Sequence, residues 1–288
     1  MPAPRILVLR APGTNCDLET AAAFEAAGGV PERVHVNRLS ENPALGDRYQ
    51  ILCLPGGFSY GDDIAAGRIL AVRLKQHLGD LVNDFVNGDD RLVLGICNGM
   101  QVLMRLGVLA GQGDMAGQGD TAGDGDTAGQ VDTALQGESK PAATLTWNNH
   151  GRFEDRWVHL KTDPRSPCVF TRGAEHLFLP IAHAEGKFVA ADTPTLRSLD
   201  QAGRLALRYV DGPEGTLGTD TLTFPANPNG ADANVAGVCD TSGRVFGLMP
   251  HPERHIDPTH HPFWTRRDQQ PESGDGLVIF RNAIEYFV

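Results

Sequence analysis

Short apolar runs alternate with stretches of helical periodicity through the first hundred residues. Strands are predicted at residues 6–9, 33–37, 50–54 and 92–96, and the last lacks polar alternation, as expected of a strand buried on both faces. Helices are predicted between them, one capped by Asp17 and ended by Gly28 and Gly29, another within residues 63–86. This order is typical of an α/β protein with a single doubly wound, mostly parallel sheet flanked by helices. Such sheets carry their sites at the carboxyl ends of the strands.

A low-complexity segment interrupts this pattern. Residues 110–133 are four hexapeptides, AGQGDM, AGQGDT, AGDGDT and AGQVDT, with almost no large apolar side chain. Calcium-binding β-rolls also repeat Gly and Asp, but with a period of about nine residues and an inward apolar position. We therefore predict a disordered, Gly/Asp-rich insertion at about 110–139, inside one domain that spans residues 1–288. Beyond it we predict strands at 143–147, 153–160, 177–183, 205–210 and 245–249, and a helix at 276–287.

Charge and cysteine content restrict the partners. The chain has 25 Lys and Arg against 36 Asp and Glu, a net charge of −11, and no basic stripe that could neutralise a phosphate backbone. No run approaches the roughly 20 apolar residues of a membrane span. The five cysteines are odd in number and widely spaced, which is typical of reduced thiols. We expect a cytoplasmic protein that binds neither nucleic acid nor membrane.

Cys97 lies between a predicted buried strand and a predicted helix, in a Gly-x-Cys-x-Gly pattern with Gly95 and Gly99. This is the form of a nucleophile elbow with Cys in place of Ser. A helix that begins at Asn98 directs its positive end at the sulfur and favours a thiolate. The Asn98 backbone N–H could then donate to an oxyanion. The alternative is a cysteine that only packs as a small apolar side chain.

A thiolate nucleophile needs a base, and the best candidate follows the predicted strand 245–249. His251 and Glu253 are two residues apart on a proline-bracketed segment, which we expect to be extended with both side chains on one side. A metal cluster is the alternative, because more potential ligands follow. They are His255, Asp257, His260 and His261.

Gly56 and Gly57 follow the predicted strand 50–54. A Gly-Gly turn can present an unobstructed backbone N–H to a ligand. A phosphate-binding loop is the alternative, but the segment lacks the Lys-Ser/Thr ending of that motif. Gly57 is therefore our second candidate oxyanion donor.

Four segments carry a family resemblance: PGTNCD at 12–17, GGFSYGD at 56–62, GICNGMQ at 95–101 and GLMPHPER at 247–254. In this order they resemble class I, triad-type glutamine amidotransferases, and among them the glutaminase subunits of phosphoribosylformylglycinamidine synthase. The FSYGD run discriminates, because other amidotransferases of the class usually follow Gly-Gly with Pro. Ala11, where Phe is frequent, and Ala184, where Gly is expected, depart from the family pattern.

The resemblance implies an enzyme that hydrolyses glutamine to glutamate and ammonia. Cys97 would be the nucleophile, His251 the general base and acid, and Glu253 its orienting partner, with the oxyanion hole at Gly57 and Asn98. The implied glutamine-binding residues are Gln101, Asn149, Gly151, Arg152 and Phe153. His183 and Glu185 also lie on a family motif, near the pocket or the partner interface.

The resemblance further implies a partner chain. This subunit would need no cofactor or metal, while ATP and Mg would bind to a large synthetase subunit, with or without a small third subunit. That synthetase converts formylglycinamide ribonucleotide to formylglycinamidine ribonucleotide in purine biosynthesis. Two alternatives remain at this point: a triad glutaminase or γ-glutamyl hydrolase of another pathway, and a non-catalytic metal-binding scaffold.

Overall fold

The computed structural model describes residues 2–109, 141–267 and 271–288. The predicted insertion at 110–139 lies outside these residues. The described strands are β1 Arg5–Arg10, β2 Val30–His35, β3 Ile51–Leu54, β4 Leu92–Ile96, β5 Ala143–Thr146, β6 Glu154–Thr162, β7 His176–His183, β8 Lys187–Ala190, β9 Leu207–Val210, β10 Val235–Cys239 and β11 Val245–Leu248. The described helices are α1 Asp17–Ala26, α2 Val36–Glu41, α3 Arg68–His77, α4 Gly79–Asn87, α5 Asn98–Arg105, α6 Thr193–Gln201 and α7 Leu277–Glu285.

One large sheet organises the described residues, with nine strands in the order β2-β1-β3-β4-β11-β10-β9-β6-β7. The pairings from β2 through β11 are parallel. The remaining four pairings are antiparallel, so only β10 and β6 run against the others and seven of the nine described strands share one direction. β5 and β8 form a separate antiparallel pair. The predicted fold class is confirmed.

Helices cover this sheet on both faces. The chain moves one way across the sheet from β1 to β2 and the other way from β3 to β4. Right-handed crossovers therefore place α1 and the α3–α4 pair on opposite faces. α1 packs against α7 through an edge-to-face contact of Phe24 and Phe280, whose ring centroids are 4.9 Å apart. α5 lies over β3, β4 and β11 and against α3.

The order of strand segments along the first hundred residues was predicted well, and β4 has the predicted bounds. The predicted helix within 63–86 is wrong as one element, because the backbone of Leu78 leaves helical geometry at φ −137° and separates α3 from α4. The predicted Asp17 cap is also wrong. Asp17 is the first residue of α1, and its buried carboxylate pairs instead with Arg10 at 2.8 Å and Arg33 at 3.1 Å. Strands β8 and β10 and helices α2 and α6 were not predicted. The predicted strand 33–37 is wrong at its end, because β2 stops at His35 and residues 36 and 37 begin α2. None of the described helices has the length and apolar character needed to cross a membrane.

Candidate active site

Four loops meet at the carboxyl ends of parallel strands, as the doubly wound topology requires. They follow β1, β3, β4 and β11. The loops after β1 and β3 are joined by an isolated bridge between Thr14 and Gly57 and by a 3.0 Å hydrogen bond from the Phe58 N–H to the Gly13 carbonyl. The sheet order reverses between β1 and β3, so this is the switch point at which such folds bind ligands.

Cys97 occupies the turn between β4 and α5 in a strained conformation, with φ 50° and ψ −104°. Positive φ is uncommon for residues other than glycine and is held only where the surrounding structure enforces it. Here the Cys97 N–H donates to the Leu248 carbonyl on β11 at 2.7 Å. Cys97 is 5% exposed, and its sulfur lies 3.8 Å from the Ala182 carbonyl oxygen near the end of β7. The predicted strand, strained cysteine and helix are thus present.

The glycines around Cys97 allow close packing of α5 on the sheet. A Cβ on Gly99 would lie 1.9 Å from the Leu54 carbonyl oxygen of β3, and one on Gly95 would lie 2.8 Å from the Gly99 carbonyl oxygen. Both distances are far inside van der Waals contact. The Gly-x-Cys-x-Gly pattern therefore serves helix–sheet packing as well as the turn.

His251 and Glu253 form a buried pair. The His251 Nδ1 lies 2.6 Å from Glu253 Oε1, and the two residues are each 2% exposed. Burial disfavours a charged imidazole, but the Glu253 carboxylate and the Cys97 sulfur outweigh it and raise the pKa of His251 above its ordinary value. The prediction that the pair lies on an extended segment is wrong. His251 directly precedes a 3₁₀ turn over Pro252–Arg254, and Glu253 lies within it. The two side chains meet because of this turn, and not because residues two apart lie on the same side of an extended strand.

The free edge of β7 anchors the loop that carries His251. β7 is the last strand of the sheet, so one row of its backbone groups has no strand partner among the described residues. The Pro180 carbonyl accepts the His251 N–H at 2.8 Å, and the Phe178 carbonyl lies 2.8 Å from His255 Nδ1. With the contact between Cys97 and the Ala182 carbonyl, the same edge touches both members of the proposed nucleophile and base pair.

The backbone N–H groups of Gly57 and Asn98 are available for a ligand. Asn98 is the first residue of α5, where helical N–H groups have no partner within the helix. Gly57 holds φ 132°, and an added Cβ would lie 2.7 Å from the Asn15 nitrogen, so a side chain is excluded there. Neither N–H has a hydrogen-bond acceptor in the part of the chain that the structure describes.

The predicted glutamine-binding residues differ in burial: Gln101 is buried, and those of the 149–153 segment are exposed. Gln101 is buried at 4% exposure, and its amide donates to the Glu185 carbonyl. The segment 149–153 is exposed in the loop between β5 and β6, where Phe153 and Phe58 lie with ring centroids 6.4 Å apart. This contact places the 149–153 loop beside the loop that carries Gly57.

Asn148 and His183, which are far apart in the sequence, form a buried hydrogen-bond pair. The Asn148 Nδ2 donates to the Arg152 and His183 carbonyls, so its Oδ1 is the acceptor that faces His183 Nδ1 at 3.1 Å. His183 therefore carries its proton on Nδ1, and its Nε2 has no hydrogen-bond partner in the described chain. Burial lowers the pKa of His183 to about 3, with a smaller contribution from His251. His183 thus stays neutral across the physiological range.

Cys16, in the PGTNCD segment, is a part of the site that its sequence pattern does not reveal. Its sulfur accepts from the Arg254 guanidinium at 3.2 Å and lies beside His251. Burial raises the pKa of the Cys16 thiol even though His251 and Arg254 oppose that rise. Cys16 is therefore a neutral thiol at pH 7 and a poorer nucleophile than a thiolate. No sequence signal separated it from Cys97 except the elbow pattern.

The described residues contain one group whose ligand atoms could share a metal ion, namely Cys16, His251 and Glu253, with those atoms within 4.8 Å of one another. The Arg254 guanidinium already lies against the Cys16 sulfur, and Glu253 is engaged with His251. A cation there would meet a fixed positive charge and would have to break the pair. None of the potential ligands downstream of Glu253 belongs to such a group among the described residues. They are His255, Asp257, His260 and His261.

Comparisons with known proteins identify the family of the chain. Residues 3–287 match the family model of the CobB/CobQ-like glutamine amidotransferase domain. The chain is 41% identical over 282 residues to phosphoribosylformylglycinamidine synthase subunit PurQ of Dehalococcoides mccartyi, covering 98% of this chain and 97% of that protein. It is 34% identical to phosphoribosylformylglycinamidine synthase of Homo sapiens, covering 89% of this chain but 18% of that protein.

A solved structure has the same fold. The structure of PurLQS from Thermotoga maritima matches with a TM-score of 0.65 and 28% identity, covering 99% of this chain and 100% of the matched chain. The chain therefore belongs to the family of glutamine amidotransferase domains, and within it to the PurQ subunits of phosphoribosylformylglycinamidine synthase.

Proposed function

We propose that this chain is the glutaminase subunit of a phosphoribosylformylglycinamidine synthase. It hydrolyses glutamine to glutamate and ammonia with Cys97, His251 and Glu253, and it delivers the ammonia to a synthetase subunit. That subunit converts formylglycinamide ribonucleotide to formylglycinamidine ribonucleotide. The observation that carries the proposal is the buried His251–Glu253 pair next to a cysteine strained at a strand-to-helix turn.

The first half of the reaction acylates the enzyme. The Cys97 thiolate attacks the side-chain amide carbon of glutamine, the S–C bond forms, and the carbonyl electron pair moves onto oxygen. The N–H groups of Gly57 and Asn98 stabilise that oxyanion, each by about 3 kcal/mol. The C–N bond then breaks as the His251 imidazolium gives its proton to the departing nitrogen, and ammonia leaves.

The second half regenerates the thiolate. His251, now neutral, takes a proton from a water that attacks the thioester carbon, and collapse of the second oxyanion breaks the C–S bond to release glutamate. Glu253 accepts a hydrogen bond from the His251 Nδ1–H. The imidazole therefore exchanges protons with the substrate through Nε2. The raised pKa of His251 favours its pairing as an imidazolium with the Cys97 thiolate before glutamine reacts.

Gln101 and the 149–153 loop are proposed to contact the bound glutamine. The exposed loop, with Asn149, Gly151, Arg152 and Phe153, would cover the substrate from the side of Phe58. The Gln101 amide donates to the Glu185 carbonyl. Gln101 would therefore position the backbone at Glu185 in addition to contacting glutamine.

The remaining chemistry is proposed to lie on other chains. The matched human synthase is far longer than this domain, which covers 18% of it, so the rest of the synthase reaction needs more protein than this chain supplies. We infer a large synthetase partner that binds ATP and Mg, with or without a small third subunit, and no cofactor or metal on this subunit. Another pathway's triad glutaminase or a γ-glutamyl hydrolase is not favoured, because the relatives named above belong to this synthase.

We further infer one amidotransferase domain over residues 1–288 and a cytoplasmic location. All five cysteines are unpaired thiols, a state that a reducing compartment maintains.

The test uses the chain in complex with its synthetase. Cys97→Ala should abolish formylglycinamidine ribonucleotide formation from glutamine and retain formation from added ammonia, because only the glutaminase step needs the thiolate. Cys168→Ala, at another buried thiol away from the site, is the matched control and should retain both activities. Glutamine-dependent activity in Cys97→Ala would overturn the proposal.

A further inference from the structure

We propose that Asp62 is a positioning residue that holds the two candidate oxyanion donors in register. The inference rests on the proposed function, because it assumes that Gly57 and Asn98 receive the oxyanion. Gly57 and Asn98 belong to different loops, one after β3 and one after β4, and the backbone pairing of those strands ends before either residue. Beyond the packing of α5 on β3, a side-chain link between the two loops can therefore restrain their relative position.

Asp62 supplies that link. Its Oδ1 accepts from the Asn98 side-chain amide at 3.0 Å and from the Gly67 N–H at 3.3 Å. Asp62 is the last residue of the GGFSYGD segment, which follows β3 and contains Gly57. Asn98 is the first residue of α5. One carboxylate oxygen thus joins the loop after β3 to the amino end of the helix behind Cys97.

The backbone around Asp62 is strained to make this contact. Tyr60, Gly61 and Asp62 hold successive φ values of 55°, 72° and 53°. Left-handed geometry is unfavourable for the two residues that are not glycine. The Tyr60 N–H donates to the Pro12 carbonyl at 2.6 Å and thereby holds the turn in place. Strain of this kind gathers at functional sites, and here it directs the Asp62 carboxylate toward α5.

Asn98 transmits the position of Asp62 to the helix. Its side-chain amide donates both to Asp62 and to the Gln101 Oε1, the latter at 3.0 Å, and the residue is 3% exposed. Gln101 in turn donates to the Glu185 carbonyl. Both amide hydrogens of Asn98 are therefore used, so its side chain has one orientation. Because the same residue carries the candidate oxyanion N–H, anchoring its side chain to Asp62 restrains the position of that backbone group relative to the loop after β3.

The role requires an acceptor at position 62 and not a negative charge. Asp62→Ala removes the acceptor, frees Asn98 and should lower kcat for glutamine hydrolysis roughly 10- to 100-fold, while KM for glutamine stays within about threefold. Asp62→Asn keeps an oxygen acceptor and should restore kcat to within about threefold of wild type. Asp63→Ala, at the adjacent exposed carboxylate, is the matched control and should behave as wild type.

A second measurement separates positioning from general loss of structure. The Cys97 thiolate is expected to add to the carbonyl carbon of the aldehyde analogue of glutamine. In that adduct the former carbonyl oxygen occupies the oxyanion position. Its affinity should fall in Asp62→Ala by the same factor as kcat/KM, whereas the affinity for glutamate, which forms no such adduct, should not change. If the alanine variant does not fold, Asp62→Gly also removes the acceptor, at a positive φ that glycine adopts readily, and gives the same comparison.

Unchanged kcat in Asp62→Ala, or unchanged affinity for the aldehyde, would overturn the role of Asp62. The outcome is distinguishable from failure of the proposed function. An active Cys97→Ala variant removes the proposed function itself, whereas an inactive Cys97→Ala variant beside a fully active Asp62→Ala variant removes the role of Asp62 alone.

Discussion

His183 should make this protein less stable as the pH falls below 7. Its imidazole is 3% exposed, donates from Nδ1 to Asn148, and has a pKa that burial lowers to about 3 from an ordinary value of 6.5. The folded state therefore holds the neutral form, while the unfolded chain binds a proton below pH 6.5. For a group with a depressed folded pKa of this kind, stability is complete above 6.5 and is lost as the pH falls from 6.5 toward 3.

The size of the effect follows from those two pKa values. At pH 5 the unfolded His183 is almost fully protonated and the folded one is not, so the contribution lost is about 2 kcal/mol. The measurement is the free energy of unfolding in urea at pH 7 and pH 5, for wild type and for His183→Gln. Burial also lowers the pKa of other histidines, but they titrate in both proteins and cancel in the comparison. They are His159, His176, His255 and His261.

The wild type should lose about 2 kcal/mol more than His183→Gln between the two pH values. His77→Gln, at an exposed residue of α3, is the control and should keep the wild-type pH dependence. Nitrogen NMR on the wild type gives an independent check, because it should show the proton on Nδ1 and no titration of His183 above pH 4. Equal pH dependence in wild type and His183→Gln, or titration near 6.5, would refute the reasoning.

Three further predictions concern the site and the insertion. Glu253→Gln removes the charge that raises the pKa of His251, so kcat should fall on the order of 10³- to 10⁴-fold and the alkaline limb of its pH profile should move to lower pH; an unmoved limb would contradict the pairing. Gly99→Ala puts a methyl group against the Leu54 carbonyl and should cost about 3 kcal/mol in urea unfolding together with most activity, and wild-type stability would contradict that contact. Deletion of residues 111–136 should leave the unfolding free energy and glutaminase activity unchanged, because the repeats offer little apolar surface to bury; lost activity with an intact fold would show that the segment serves the site or the partner.

The sequence predicted those parts of the fold that depend on neighbouring residues. β4 has the predicted bounds because an uninterrupted apolar run between polar residues is a local signal. Cys97 stood out among five cysteines because its flanking glycines are local too. By contrast, β10 was missed, since its five small residues become a strand only between β9 and β11. The break at Leu78 was also missed, because the apolar spacing continues through it.

The sequence by itself determined the fold class and the nature of the candidate nucleophile and base, since both follow from residue types at short spacing. Only the tertiary structure decided that Cys97 and His251 lie together. Their proximity depends on the parallel pairing of β4 with β11, which aligns Ile96 with Leu248, and on the β7 edge that receives both loops. It also decided that Asp62 contacts Asn98 and that His183 is neutral. These properties arise from contacts between distant segments, and a hydrogen bond or the burial of a charge has no signature in the residues adjacent to it along the chain.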